Sequence, residues 1–171
     1  MSSRHIAEGE PVAIRPAMPA DLPAVVALCR HWAAEKLTRN YRADTVEELH
    51  KRLGECFLVA EQAGQVMGFV IGEIKSTAGD EFVEGVLDDA PAYLEVQDLY
   101  VAPKCRQRGI GKALMRGVLE SASQRGVNNS LVYSGNRDYA RIAHFYEELG
   151  YEMWHIHMTR RGSSRFQGHD T

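Results

Sequence analysis

Between residues 106 and 115 the chain reads RQRGIGKALM, which sets Arg106, Arg108 and Lys112 around Gly109 and Gly111 at the mouth of a predicted helix. Cations and glycines at a helix start point to a bound anion. First-turn N–H groups have no partner inside the helix, and glycine lets backbone close on a ligand with no Cβ in the way. Four ligands carry such an anion: a nucleotide, a dinucleotide, a nucleic-acid backbone and the pyrophosphate of coenzyme A. A Walker A loop requires glycine five residues before Gly111, where Arg106 stands. A dinucleotide fingerprint requires glycine three residues after Gly111, where Leu114 stands. What survives is a cradle of consecutive backbone amides with mobile positive charge around it.

The preceding run, YLEVQDLYVAP, is the longest β-type stretch and stops at Pro103. Strand alternation puts Glu95, Gln97, Leu99 and Val101 on one face and Leu94, Val96, Asp98 and Tyr100 on the other, unless a bulge reverses them. Other reactive side chains read as ordinary. His155 and His157 share a strand face without an identifiable third ligand, so no metal is expected. Cys105 abuts the glycine-rich loop, but no histidine is placed to activate it. Asp80, Glu81, Glu84, Asp88 and Asp89 form an acidic, solvated loop that gives weak support to a cationic partner.

The elements that must position these groups follow from pattern. Residues 12–16 alternate as a short strand stopped by Pro16, and a helix follows with Asp21 as N-cap and Val25, Leu28, Cys29 and Trp32 at helical spacing. Thr45 and Glu48 form a capping box for a short helix ending near Gly54. Residues 56–76 read as a hairpin turning around residues 63–65. After the glycine-rich loop, Leu114, Val118 and Ala122 make a helical stripe closed by Gly126, and SLVYS is a strand. Ile142, Phe145, Tyr146 and Leu149 line one face of a helix ended by Gly150, and residues 151–159 read as a last strand. The predicted order is β-α-α-β-β-β-α-β-α-β, an α/β (α+β) layer structure.

At 171 residues the chain is one domain, with a core over about residues 12–158 and a polar tail over 160–171. A hydrophobic share of 44% with 25% charged residues is that of an ordinary globular protein, and a net charge of −3 gives no bulk attraction to nucleic acid or an anionic membrane. No apolar run approaches about 18 residues, and the first ten residues lack a signal-peptide core. Cys29, Cys56 and Cys105 are odd in number and scattered, as free thiols of a reducing cytoplasm would be.

Arg106-x-x-Gly109-x-Gly111 directly after DLYVAP resembles the acetyl-CoA-binding motif of the GNAT N-acetyltransferase superfamily. IRPAMPADLPAVVAL is similar to that family's first strand and helix, GQVMGFVIGEI to its second hairpin, and AHFYEELGYE to its closing helix and strand. The resemblance implies a mixed, mostly antiparallel central sheet of six to seven strands flanked by about four helices. It implies acetyl-CoA as acyl donor, with the backbone of Leu99, Tyr100 and Val101 along the pantetheine arm. Arg106, Gln107, Arg108, Gly109, Ile110, Gly111 and Lys112 would wrap the pyrophosphate. Tyr146 falls where relatives place a tyrosine beside the cofactor sulfur, and Glu95 where some carry a base, with Asp98 as the second candidate. Many relatives carry an asparagine seven residues before the tyrosine; Tyr139 occupies that place here, and Asn136 is a weak substitute or a helix cap. The implied activity is direct acetyl transfer to a primary amine, a small cationic or amino-acid-like acceptor ahead of a protein amine. The alternative is a non-catalytic acyl-CoA-binding sensor. A homodimer is one assembly open to such a chain, and no nucleic-acid partner, membrane partner or metal is expected.

Overall fold

The computed structural model describes residues 11–38, 40–87, 90–135 and 137–155. Strand β1 (Ala13–Pro16) leads into helix α1 (Leu22–Glu35) and helix α2 (Val46–Lys51). Then follow β2 (Phe57–Gln62), β3 (Gln65–Ser76), α3 (Glu81–Val86), β4 (Ala92–Val101), α4 (Ile110–Ser123), β5 (Ser130–Val132) and α5 (Tyr139–Glu147). The strands form one sheet in the order β1-β2-β3-β4-β5, antiparallel except for the parallel β4–β5 pair.

Alternation along the strands builds two cores. Leu58, Ala60 and Val70 point to the face covered by α4, where Ile110, Leu114, Met115, Val118 and Ala122 pack. Phe57, Val59, Phe69 and Ile71 point to the opposite face, where Leu22, Val25, Val26 and Cys29 of α1 and Leu49 of α2 pack. Leu114, Met115 and Val118 are wholly buried, each contributing about 1.5–3 kcal/mol over an exposed position. The β2–β3 hairpin turns through Ala63 and Gly64, both at positive φ (52° and 74°), the backbone of the tight turn that matches strand twist.

Local chemistry sets the ends as expected in most places. The Thr45 hydroxyl accepts from the Glu48 N–H, and the Glu48 carboxylate accepts from the Thr45 N–H. Asp21 stands at the N-cap of α1, but its carboxylate accepts from the Met18 N–H and from the Arg15 guanidinium instead of from the helix. Arg15 also donates to Glu61, which ties β1, β2 and the start of α1 together.

Four expectations are corrected. The sheet has five strands among the described residues, not six or seven. Residues 151–155 carry no strand, and the rest of that predicted strand, His157 included, lies outside the described residues together with the tail. The acidic loop folds into α3, because the Asp80 carboxylate accepts from the Val83 N–H and nucleates a turn; Asp88 and Asp89 lie outside the description. Asp138 caps α5 in the place offered to Asn136, and five α-helices lie among the described residues, in keeping with the expected number. Asn136 itself lies outside the described residues.

Gly68 of β3 lies opposite Val101 of its sheet neighbour β4. A Cβ there would lie 2.8 Å from the Tyr100 backbone oxygen, which belongs to the sheet and cannot step aside. Gly68→Ala is expected to destabilise the fold by about 1–3 kcal/mol, read as a lowered denaturant midpoint.

Candidate functional site

A bulge organises the site. β4 pairs with β3 through Asp98↔Ile71 and then through Val96↔Gly72, so Gln97 is one residue in excess. The extra residue reverses the alternation, as a bulge must. Leu94 and Val96 pack in the α4-side core, and so do Leu99 and Val101 beyond the bulge. Tyr100 packs in the α1-side core. The simple alternation is thereby overturned: Glu95 and Gln97 do not share a face with Leu99 and Val101. They fall instead with Asp98 in one polar strip.

The same bulge redirects the backbone. The Leu94 N–H donates to the Asn129 oxygen just ahead of β5, whereas the Ala102 N–H donates to Met67 before β3. By strand alternation, Tyr100 then bonds toward β3, while the N–H and C=O of Leu99 and Val101 point to the β5 side. But β5 accompanies β4 only at Leu94–Val96. The backbone edge at Leu99 and Val101 thus faces the space where the two strands part.

A short 3-10 turn, Pro103–Cys105, joins that edge to the glycine-rich loop. Gln107 and Gly109 take positive φ (61° and 76°), and Gly109 caps α4 in the left-handed region with no side chain over the helix end. The first-turn N–H groups of Ile110, Gly111 and Lys112 therefore project from the start of a 14-residue helix. On its far side the loop is met by α5: the Phe145 ring lies 3.4 Å from where a Cβ of Gly111 would be.

The cations behave differently from the mobile charges expected. Arg106 donates through both terminal nitrogens to Glu35 (2.8 and 2.6 Å) and through Nε to the Val101 oxygen (2.9 Å). Its guanidinium also lies over the Tyr100 ring, 5.2 Å from the centroid. Lys112 pairs with Glu148 at 2.9 Å, and Arg108 donates to Gln62 at 3.2 Å. Each loop cation is thus engaged within the protein, which leaves anion attraction chiefly to the backbone amides.

Tyr146 packs between the rings of Phe145 and Tyr151 (centroids 5.1 and 5.5 Å) and against the core that holds Leu99 and Val101. Burial raises its hydroxyl pKa well above the ordinary tyrosine value, so it is a neutral donor throughout the physiological range. Tyr139, where relatives carry asparagine, is exposed. Cys105 is buried in the α4-side core.

Along the polar strip, Glu95 Oε1 accepts from Lys75 (2.7 Å) and from Gln97 (3.3 Å), and Gln97 also donates to Glu73. Among the described residues Oε2 of Glu95 makes no further hydrogen bond. Arg52 of the turn after α2 donates to Gln97, Asp98 and Asp44. Burial raises the Asp98 carboxyl pKa despite this partner, and the Glu95 carboxylate raises that of Lys75. Sequence reasoning missed Glu35, Arg52, Lys75 and Glu73, because their partners lie tens of residues away and no local pattern reports them.

A family model described as "Acetyltransferase (GNAT) domain" matches residues 53–153. The chain belongs to the GNAT acetyltransferases. N-acetyltransferase family 8 member 2 of Rattus norvegicus is 30% identical over 125 residues, 72% of this chain and 50% of that protein. A mycothiol acetyltransferase of Kocuria rhizophila is 28% identical over 126 residues, 68% of this chain and 38% of that protein. The chain spans about half the length of the family 8 relatives it matches. A solved aminoglycoside N-acetyltransferase in complex with CoA shares the fold at a TM-score of 0.67 and 18% identity, covering 92% of this chain and 99% of that one. Among the described residues no helix is long and apolar enough to cross a membrane, and no group of three or more potential ligands could hold a metal ion.

Arg52→Met should destabilise the protein by about 1–3 kcal/mol, since it strips a half-buried carboxylate of its charged partner. The deficit should shrink as pH falls toward ~4, because Asp98, already raised in pKa, takes up a proton and is no longer a stranded charge. Urea titrations of both proteins at neutral and acidic pH read the difference.

Proposed function

We propose that this protein transfers an acetyl group from acetyl-CoA to a primary amine by direct attack. The observation that carries the reading is placement: the edge at Leu99 and Val101 is followed, after one short 3-10 turn (Pro103–Cys105), by the amide-lined start of α4. An extended amide-bearing arm ending in a pyrophosphate is the ligand such a path suits. Leu99 would offer both its N–H and its C=O, and Val101 its N–H, because the Val101 oxygen already accepts from Arg106. Gln107 to Lys112 would enclose the phosphates. Acetyl-CoA supplies an activated thioester carbonyl when bound.

The protein's own groups then have distinct tasks. A lysine-like amine with pKa ~10.4 arrives protonated and must lose a proton before it can attack. Glu95 is the proposed base, since Oε2 stays open toward an incoming ammonium while Oε1 is held. Asp98 is locked against Arg52 and serves to position that neighbour. An N–H near Leu99 would polarise the carbonyl oxygen. Tyr146 would donate a hydrogen bond to the departing thiolate. Full proton transfer from a phenol near ~10 to a thiolate near ~8.5 is already uphill by roughly 2 kcal/mol, and burial steepens it.

The open carboxylate oxygen of Glu95, with Glu73 beside it, supports a small cationic acceptor. Similarity in fold to aminoglycoside acetyltransferases is consistent with this. The buried, free Cys29, Cys56 and Cys105 support a cytoplasmic setting.

Thiol release from acetyl-CoA, followed across a panel of polyamines, aminoglycosides, amino acids and lysine peptides, tests the activity. Release with at least one amine is expected; tight coenzyme A binding without any release would favour the sensor. Tyr146→Phe should lower kcat by about 10²-fold with coenzyme A affinity held, as loss of a donor felt mainly in the transition state requires. Glu95→Gln should lower kcat by a similar factor of about 10².

A further inference from the structure

Glu35 is the last residue of α1 and lies 71 positions before Arg106 in the chain, yet it is that arginine's principal partner. Its two oxygens receive both terminal nitrogens of the guanidinium, a bidentate fork, and Oε2 also accepts from the Tyr100 hydroxyl at 2.9 Å. With the fork fixed, Nε can only point along one direction, and that direction holds the Val101 oxygen. The side chain of Arg106 thus spans the turn from the end of β4 to the start of the phosphate loop. The ring of Tyr100 supports it from below, and Trp32 and Tyr41 extend the stack (centroids 5.4 and 4.0 Å) into α1 and the residues before α2.

Building on the acetyl-CoA reading above, we infer that Glu35 is a positioning residue for the donor: by gripping Arg106 it fixes the turn that aims the phosphate-loop amides. Glu35 touches neither the proposed donor path nor the polar strip. It acts through Arg106 on two things, the Val101 end of the backbone edge and the positive-φ conformation at Gln107. Loss of the grip frees a guanidinium and lets the turn sample other conformations, so the amides meet the pyrophosphate at an entropic cost. The effect belongs to the donor and not to the acceptor, whose proposed base is held separately by Lys75.

Wild type, Glu35→Ala, Glu35→Asp, Arg106→Ala and the Glu35→Ala/Arg106→Ala pair would be titrated with coenzyme A by calorimetry, alongside hydrogen exchange of amides 107–112 and thermal melts. Glu35→Ala is expected to weaken coenzyme A by about tenfold. It should speed exchange across 107–112 and raise KM for acetyl-CoA, with KM for the amine unchanged. Glu35→Asp should recover part of the affinity, and the double variant should bind no more weakly than the worse single one. Unchanged or tighter coenzyme A binding by a folded Glu35→Ala overturns the inference, as does an equal rise in both KM values with a lowered melting point. Failure of wild type itself to bind coenzyme A removes the acetyl-CoA reading and this inference together. Binding by wild type with an indifferent Glu35→Ala removes this inference alone.

Discussion

One extra residue in β4 governs the site. Were β4 to run through Gln97 without the bulge, regular alternation would turn either Leu94 and Val96 or Leu99 and Val101 out of the α4-side core. With it, both pairs stay inside, and the polar side chains collect on the other face of the sheet. The same irregularity decides which residues present N–H and C=O to the gap beyond β5, Leu99 and Val101 in place of Asp98 and Tyr100. Core, polar strip and donor edge thus share a single cause, and none can be altered without the other two.

The second organising feature is how the loop's positive charge is used. A cationic loop that bound its ligand by free side chains would lose affinity steeply with salt. Here Arg106 is committed to Glu35, and Lys112 to Glu148. Arg106 in turn depresses the pKa of the Glu35 carboxyl, so the pair is intact at neutral pH and is lost only in strong acid. The loop's shape is built from side-chain ion pairs and its chemistry from backbone amides, a division that keeps the binding groups rigid.

Most of the fold was legible because it rests on local patterns. The α4 stripe of Leu114, Val118 and Ala122, the Thr45–Glu48 box and the Ala63–Gly64 turn are all written in neighbouring residues. The donor loop was legible for the same reason. What escaped was non-local. The bulge depends on how β3 and β4 align, so no inspection of β4 alone can place it, and the face assignment of Glu95 failed with it. Helix α3 hid in an acidic run whose composition resembles solvated loop, although Asp80 three residues before Val83 was a cap signal in plain view. The grip of Glu35 on Arg106 joins the end of one helix to the start of another and leaves no trace in spacing.

An unpaired strand edge inside a sheet is also a hazard, because it offers a template on which a second chain can add and propagate. The edge past the bulge is short, and one of its two outward carbonyls is already bonded to Arg106. A stray strand would find only part of a ladder, too little to register against. The guanidinium that shapes the loop therefore also guards the opening against self-association. It lets the protein keep a gap in its sheet without becoming a seed for aggregates.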